Sequence, residues 1–342
     1  MANESESDVD SIFENAASDI VDAITGSTIP EPIKRNFFKA CGQLCTAAVE
    51  IPVSYLEGIA SERRAETQAR IKIIERSASE IAEQMQFDPE YAKAAVKKFG
   101  QRVIREQVNL DQITQKAAEA LTESVTAPSE SFDASQPQIN DDWLNVFEKE
   151  AGQKSTDEMQ SMFAKVLAGE IQRPSTYSIK SIRLLGSLDQ RTAKLFKHFC
   201  SMCIILESHG HIFDARVPSL GANAASNGLS KFGISFDALN ILQEYGLIIS
   251  DYNSWMDYSL TFGNETQPVP VPFKFGNSLW GLVRTEESKV NQFKISGVAL
   301  TQSGKELTRV VLSELNTDYS VALAQWFETK KISMVEVRAS ES

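Results

Sequence analysis

The chain has 342 residues, of which 42% are hydrophobic and 23% are charged, and its formal net charge is −12. This length and composition predict two or three packed domains. The negative charge repels nucleic acids and anionic membranes at long range, so it disfavours tight nonspecific binding by the whole surface. No apolar run approaches the roughly 18 residues that span a bilayer, and we expect no membrane span.

The N-terminus and the cysteines indicate a compartment. The first residues, Met1 to Asp10, are acidic and polar and do not resemble a secretory signal. Four cysteines are too few in a chain of this length to indicate a disulfide framework. We therefore expect a cytoplasmic protein.

Composition and hydrophobic periodicity divide the chain into five predicted segments. The fold class we expect is mainly α (α+β), with an N-terminal helical region, a helical core and a winged-helix-like C-terminal module. The segments are an acidic mobile N-terminus at 1–25, a helical domain at 26–121, a Ser/Pro/Gln-rich linker at 122–140, a helical core at 141–210 and the C-terminal module at 211–342.

The N-terminal domain is predicted to contain a long amphipathic helix from Ser54 to about Met85. Five of its residues keep a strict 3-4-3-4 spacing, which predicts a heptad seam. Packing within its own domain is the favoured interpretation, and self-association is the alternative. The seam residues are Ile71, Ile74, Ala78, Ile81 and Met85.

Helices are also expected on both sides of this one. From Pro30, apolar residues recur at helical spacing, and a further helix is bracketed by Pro89 and Gly100. Basic residues of the region form a candidate nucleic-acid contact surface. They are Arg63, Arg64, Arg70, Lys97, Lys98, Arg102 and Arg105.

In the helical core, Gly152 is expected to end the first helix after the linker. Apolar stripes then predict two helices around 157–171 and 179–187. The run Ser187-Leu188-Asp189-Gln190 fits a capping box, which predicts Ser187 as the N-cap of a helix that extends through Ile204.

Beyond residue 211 the pattern favours strands and short helices. Extended segments are expected at 211–218, 247–249, 258–262 and 292–295, with a last strand near 332–337. Ser235 is the expected N-cap of a helix that ends before a left-handed Gly246. Leu300-Thr301-x-x-Gly304 leads into another helix, and a further helix follows near 320–327. This order of elements resembles winged-helix modules.

No catalytic, cofactor or metal site is predicted. Cys200, Cys203, His209 and His211 offer metal-ligating side chains, but their spacing is shorter than that of structural zinc sites, so buried structural cysteines are favoured. The sequence contains no glycine-rich phosphate loop and no nucleophile elbow. The protein is more simply explained as a non-enzyme.

The helix after Ser235 is poorly suited to bind DNA. It carries Asp237 and Glu244 and no lysine or arginine, whereas phosphate contacts need cations. A winged-helix module with this helix is expected to bind protein.

Several apolar and turn-forming runs resemble a known family. Glu158-Met159-x-x-Met162-Phe163-Ala164-x-Val166-Leu167-Ala168-Gly169-Glu170-Ile171, Leu184-Leu185-Gly186-Ser187-Leu188-Asp189 and Leu300-Thr301-x-x-Gly304 look like a bacterial domain-of-unknown-function family and are similar to the abortive-infection Abi-alpha proteins. The resemblance implies a bacterial protein of phage defence and supplies no catalytic residues.

Three functions follow as hypotheses. The first is a non-enzymatic interaction or regulatory protein that binds a protein partner or a second copy of itself. The second is a winged-helix DNA-binding regulator, which the net charge disfavours. The third is a nuclease or toxin-like effector, which only the resemblance supports.

Overall fold

The protein is described from a computed structural model. It describes Ile24 and residues 29–45, 88–125, 137–208, 210–223, 225–263, 269, 271–284, 292–311 and 314–337. Contacts divide the chain into two compact units, residues 1–186 and 187–342. Helices and an antiparallel sheet are both present, so the expected α+β class is confirmed.

The first unit is helical throughout its described part. Its helices are α1 (Glu31–Leu44), α2 (Pro89–Val125), α3 (Asp141–Ala151), α4 (Asp157–Gln172) and α5 (Ile179–Ser187). Residues on both sides of the predicted linker at 122–140 belong to this unit, since α2 and α4 pack together. The predicted segment boundaries stay predictions.

Helix α2 corrects one expectation. Gly100 was expected to end a helix, but α2 passes through it and continues to Val125. A single glycine in an exposed helix costs only about 1 kcal/mol relative to alanine, and strong helix formers follow it in the sequence. No neighbouring atom lies within 4 Å of the position that a Gly100 side chain would occupy.

The core of the first unit is aromatic and aliphatic. Trp143 stacks on Phe147 with ring centroids 5.2 Å apart, and Phe147 meets Phe163 edge-on at 5.6 Å. From α2, residues at spacings of three and four reach the same core, as an amphipathic helix requires. These are Leu110, Ile113, Ala117 and Leu121.

Gly169 and Glu170 explain the turn after α4. A side chain on Gly169 would lie 2.9 Å from the Tyr177 ring, so only glycine leaves room for that ring. The buried Glu170 carboxylate accepts hydrogen bonds from the backbone N–H groups of Ser175 (2.6 Å) and Tyr177 (3.0 Å). The Trp143 indole donates to the Tyr177 carbonyl at 2.7 Å. This distinctive stretch of sequence therefore has a structural explanation.

The second unit is built on one antiparallel sheet. Its strands are β1 (Ile204–Ser208), β2 (His211–Pro218), β3 (Ile248–Ile249), β4 (Trp255–Asp257), β5 (Phe273–Phe275), β6 (Ser278–Arg284), β7 (Lys294–Leu300) and β8 (Ile332–Glu336). The strand order is β3-β7-β2-β1-β5-β6-β8, and β4 also pairs with β7. Its α-helices are α6 (Gln190–Cys200), α7 (Phe236–Glu244), α8 (Gln302–Thr308) and α9 (Thr317–Thr329), with 3₁₀ turns at Gly228–Phe232 and Ser259–Thr261.

The start and end of α6 differ from the prediction. Asp189, not Ser187, is the N-cap, because its carboxylate accepts from the Thr192 N–H at 2.6 Å. Backbone and side-chain hydrogen bonds from Thr192 lower the pKa of Asp189. The helix ends at Cys200, and Ile204 opens β1 instead of continuing the helix.

Within the predicted strand 258–262, Ser259–Thr261 form a 3₁₀ turn instead. The Asp257 carboxylate accepts from the N–H (2.9 Å) and the hydroxyl (2.5 Å) of Ser259, which turns the chain locally. The same hydroxyl lowers the pKa of Asp257. Strands β5 and β6 were not predicted.

Candidate functional site

The predicted seam and three of the seven predicted basic residues lie outside the part of the chain that the structure describes. Ile71, Ile74, Ala78, Ile81, Met85, Arg63, Arg64 and Arg70 all lie outside the described residues. Lys97, Lys98, Arg102 and Arg105 lie on the exposed N-terminal half of α2.

Three of these four basic residues line one groove of about 510 Å³, which we call the α2 groove. Its α2 side carries residues 98, 102, 105 and 109, whose 4-3-4 spacing places them on one helix face. Helix α2 also supplies Ala95, Phe99 and Glu106, and the segment between α3 and α4 supplies Gly152, Gln153 and Ser155. The lining residues are Ala95, Lys98, Phe99, Arg102, Arg105, Glu106, Asn109, Gly152, Gln153 and Ser155. Lys97 is exposed and is not among them.

Hydrogen bonds between buried amides fix the floor of the α2 groove. The Asn109 side chain donates to the Gly152 carbonyl at 2.7 Å and accepts from the Gln160 amide at 3.3 Å. Gln160 also donates to Gln112 at 2.9 Å and to the Lys154 carbonyl at 3.1 Å. These bonds tie α2 to α4 and to the loop before it.

Charge in the α2 groove is positive. Three cationic side chains line it against the single carboxylate of Glu106. Arg102 lies 3.8 Å from that carboxylate, and its guanidinium carbon lies 5.1 Å from the centre of the Phe99 ring. An exposed ion pair at this distance contributes little to stability. The Arg102 guanidinium can therefore exchange the Glu106 carboxylate for an anionic ligand at little cost.

A second candidate surface is the exposed side of α7 in the second unit, which we call the α7 face. Ser235 caps this helix as predicted, with its hydroxyl accepting from the Ala238 N–H at 3.1 Å. Buried Ala238, Leu239 and Leu242 hold the opposite side in the core. The α7 face consists of Phe236, Asp237, Asn240, Gln243 and Glu244.

The turn after α7 leads into β3 and is hydrogen-bonded to the start of α8. Gly246 has a φ of 73°, the left-handed value predicted for it. The Thr301 side chain caps α8 through the Gly304 N–H at 3.0 Å and also donates to the Gly246 carbonyl at 2.6 Å. The predicted Leu-Thr-x-x-Gly run does lead into a helix, but α8 begins at Gln302 and not at Lys305, because Thr301 is its N-cap.

Strands β4 and β7 carry an exposed tryptophan. Trp255 is opposite Ser296 in the register and is half exposed. The Lys294 ammonium lies 3.8 Å from the centre of its ring, a cation–π contact.

A buried ion pair lies beside the paired strands β4 and β7. The Arg216 guanidinium donates to both carboxylate oxygens of Asp214, at 2.6 and 2.9 Å, and to the carbonyls of Ser254 and Ile295 at 3.0 Å each. The Tyr258 hydroxyl donates to Asp214 at 2.8 Å. Burial raises the pKa of Tyr258 well above its ordinary value, and the Asp214 charge adds to that rise.

This cluster is structural. Its three side chains are almost fully buried and hydrogen-bonded to one another or to strand carbonyls. Its one signal in the sequence is the two-residue spacing of Asp214 and Arg216 within a strand, which places both side chains on one face of the sheet.

The cysteines lie in packed surroundings. Cys41, Cys200 and Cys203 are buried, and Cys45 is half-buried. Burial raises the pKa of the Cys203 thiol, which also donates a weak hydrogen bond to the Phe199 carbonyl. In the described part of the chain no three His, Cys, Asp or Glu side chains are grouped to hold a metal; His209 lies outside that part.

The protein is thus an α+β protein of two units. The first unit carries a basic groove, and the second carries an exposed helix face with two carboxylates and no basic residue. No described helix combines the length and apolarity needed to cross a membrane. The family described as "Protein of unknown function (DUF2806)" matches residues 94–324, and the chain belongs to it. No curated protein and no solved structure matches the chain.

Proposed function

We propose that this is a non-enzymatic interaction protein whose second unit binds a protein partner through the α7 face. The carrying observation is the chemistry of that face. It holds one exposed aromatic ring, two amides and two carboxylates, and no lysine or arginine.

The order of elements supports a winged-helix-like module as the framework of this face. Along the chain, α6 is followed by β1 and β2, then by the 3₁₀ turn at 228–232, α7 and β3, while β7 comes after β4, β5 and β6. In the sheet β7 lies between β3 and β2, so it pairs with the strands that precede and follow α7. In such modules α7 takes the place of the recognition helix.

A recognition helix that binds DNA needs cations near phosphates and donors toward base edges. Asp237 and Glu244 on α7 would instead repel the phosphates. A protein partner with apolar and basic side chains suits the face better, since a buried aromatic such as Phe236 often carries much of an interface's energy.

Site-specific crosslinking tests this proposal. A photo-crosslinking residue at Asn240 should capture one defined host protein, and the same residue at Val321, an exposed position on α9, should not. Phe236→Ala should remove the adduct, whereas Leu260→Ala, an equally exposed apolar position, should retain it. Equal adducts from Asn240 and Val321 would contradict the proposal.

A mobility shift distinguishes the DNA-binding regulator. Retardation of duplex DNA at low salt, lost on Asn240→Glu, would favour that alternative over a protein partner, because phosphate contacts are strongest at low salt.

Self-association through Ile71, Ile74, Ala78, Ile81 and Met85 stays a prediction. Light scattering on the eluting full chain measures it, and Ile74→Glu with Ile81→Glu should convert an oligomer to a monomer. A wild-type monomer at tens of micromolar would contradict it.

We also infer a role in bacterial phage defence in the cytoplasm. The resemblance to Abi-alpha proteins supports this role. Plaque counts on a bacterial host that expresses the chain should fall, and Phe236→Ala should restore them; unchanged counts across diverse phages would contradict the inference.

A further inference from the structure

We propose that the α2 groove binds a small nucleoside phosphate. The groove belongs to the first unit, and the proposal does not depend on the protein-binding role of the α7 face.

The phosphate would bind to the cations of α2. Lys98, Arg102 and Arg105 follow one helix face. Among the described residues, no carboxylate oxygen lies within 4 Å of a Lys98 or Arg105 side-chain nitrogen. Charge-assisted hydrogen bonds from such groups to phosphate oxygens are about twice as strong as neutral ones.

The base would stack beside Phe99 and Arg102. Phe99 is 38% exposed although it lines the groove, and the Arg102 guanidinium already lies over its ring. Aromatic rings and guanidinium planes are the surfaces on which proteins stack nucleobases. A plain inorganic anion would leave this part of the groove unused.

The opposite wall offers neutral hydrogen-bonding groups. Gln153 and Ser155 line it, and an amide and a hydroxyl can each donate and accept. Ribose hydroxyls and base edges need such partners. The buried Asn109–Gln160 bonds hold this wall at a fixed distance from α2, so little ordering is required on binding.

Size and charge favour a small ligand over a long strand. A groove of about 510 Å³ lies within the range of roughly 300–1,000 Å³ typical of small-molecule sites. The net charge of −12 repels a long polyanion, whereas a single nucleotide meets mainly the local cations.

Binding is measured with the full chain and ADP carrying a fluorescent methylanthraniloyl group, by anisotropy. Arg105→Glu should weaken binding by about tenfold or more, since it replaces a charge-assisted bond with repulsion. Lys97→Glu is the matched control: it makes the same charge change on an exposed residue of the same helix outside the groove. Its affinity should stay within about twofold of wild type.

Competition assigns the chemical class. Unlabelled ADP should displace the probe, inorganic pyrophosphate should displace it more weakly, and Phe99→Leu should reduce the advantage of ADP. Equal displacement by pyrophosphate would overturn the nucleoside part of the proposal. A short single-stranded oligonucleotide that binds through Arg105 while ADP does not would replace it with a nucleic-acid site. Equal losses in Arg105→Glu and Lys97→Glu, or no probe binding at about 1 mM protein, a weak-binding limit, would overturn it entirely.

Discussion

Replacing Arg216 by methionine should destabilise the second unit by about 3–5 kcal/mol. Methionine keeps a long unbranched side chain but none of the donors. The Asp214 carboxylate, 5% exposed, would stay buried with the Tyr258 hydroxyl as its donor among the described residues. The carbonyls of Ser254 and Ile295 would each lose a 3.0 Å bond. The Ser254 carbonyl would still accept from the Gly297 N–H at 3.1 Å, so most of the expected loss comes from the unpaired Asp214 charge.

Urea unfolding of the full chain, followed by tryptophan fluorescence and circular dichroism, measures this loss. The double variant Asp214→Leu/Arg216→Met should recover a large part of it, because no isolated charge is then buried. Arg309→Met is the control: its ion pair with Glu207 is 2.9 Å long but partly exposed, and should contribute about 0–1 kcal/mol. If Arg216→Met costs no more than Arg309→Met, the ion pair does not stabilise the second unit.

Three further perturbations test the fold of the second unit, each by urea midpoint. Thr301→Val removes the α8 cap and should cost about 1 kcal/mol, while Thr301→Ser should not; equal losses would contradict the capping role. Burial raises the pKa of Tyr252 from 10.0 to about 12. The neutral Tyr252 side chain therefore stabilises the fold fully below pH 10, and this stabilisation is lost as the pH rises toward 12. Tyr252→Phe should therefore make stability decline less steeply in that window, and an unchanged slope would count against the shift. Gly233 has a φ of 85°, and a side chain there would lie 2.9 Å from the His198 ring. Gly233→Ala should therefore lower the free energy of unfolding by about 1–2 kcal/mol. The control Gly100→Ala places its methyl group in open space and should leave that free energy unchanged or raise it.

Helix ends could be predicted from the sequence because the interactions that form them join residues close together in the chain. Ser235 and Gly246 act within a few residues of themselves, as an N-cap and a left-handed helix end. At these two positions a local hydrogen bond or backbone angle selects the conformation. Strand β2 was predicted with its observed bounds, 211–218, and it pairs with β1 directly before it in the chain as well as with β7.

Long-range features were not predictable from such signals. Strand β5 has only three residues, and β6 pairs with β8 some fifty residues later in the chain. Their formation is therefore decided by the sheet and not by local propensity. The floor of the α2 groove likewise joins Asn109 to Gln160 across two helices. The 4-3-4 spacing of 98, 102, 105 and 109 was present in the sequence, but it indicates a shared face and not a cavity.

The two candidate surfaces have opposite electrostatic character, and this constrains what they can share. The α2 groove has three cations against one carboxylate, whereas the α7 face has two carboxylates and no cation. A polyanion attracted to the first would be repelled by the second, and a basic protein partner would show the reverse preference. One continuous nucleic-acid ligand therefore cannot satisfy both surfaces. The simplest arrangement that uses both is a small anionic ligand in the first unit and a protein partner on the second.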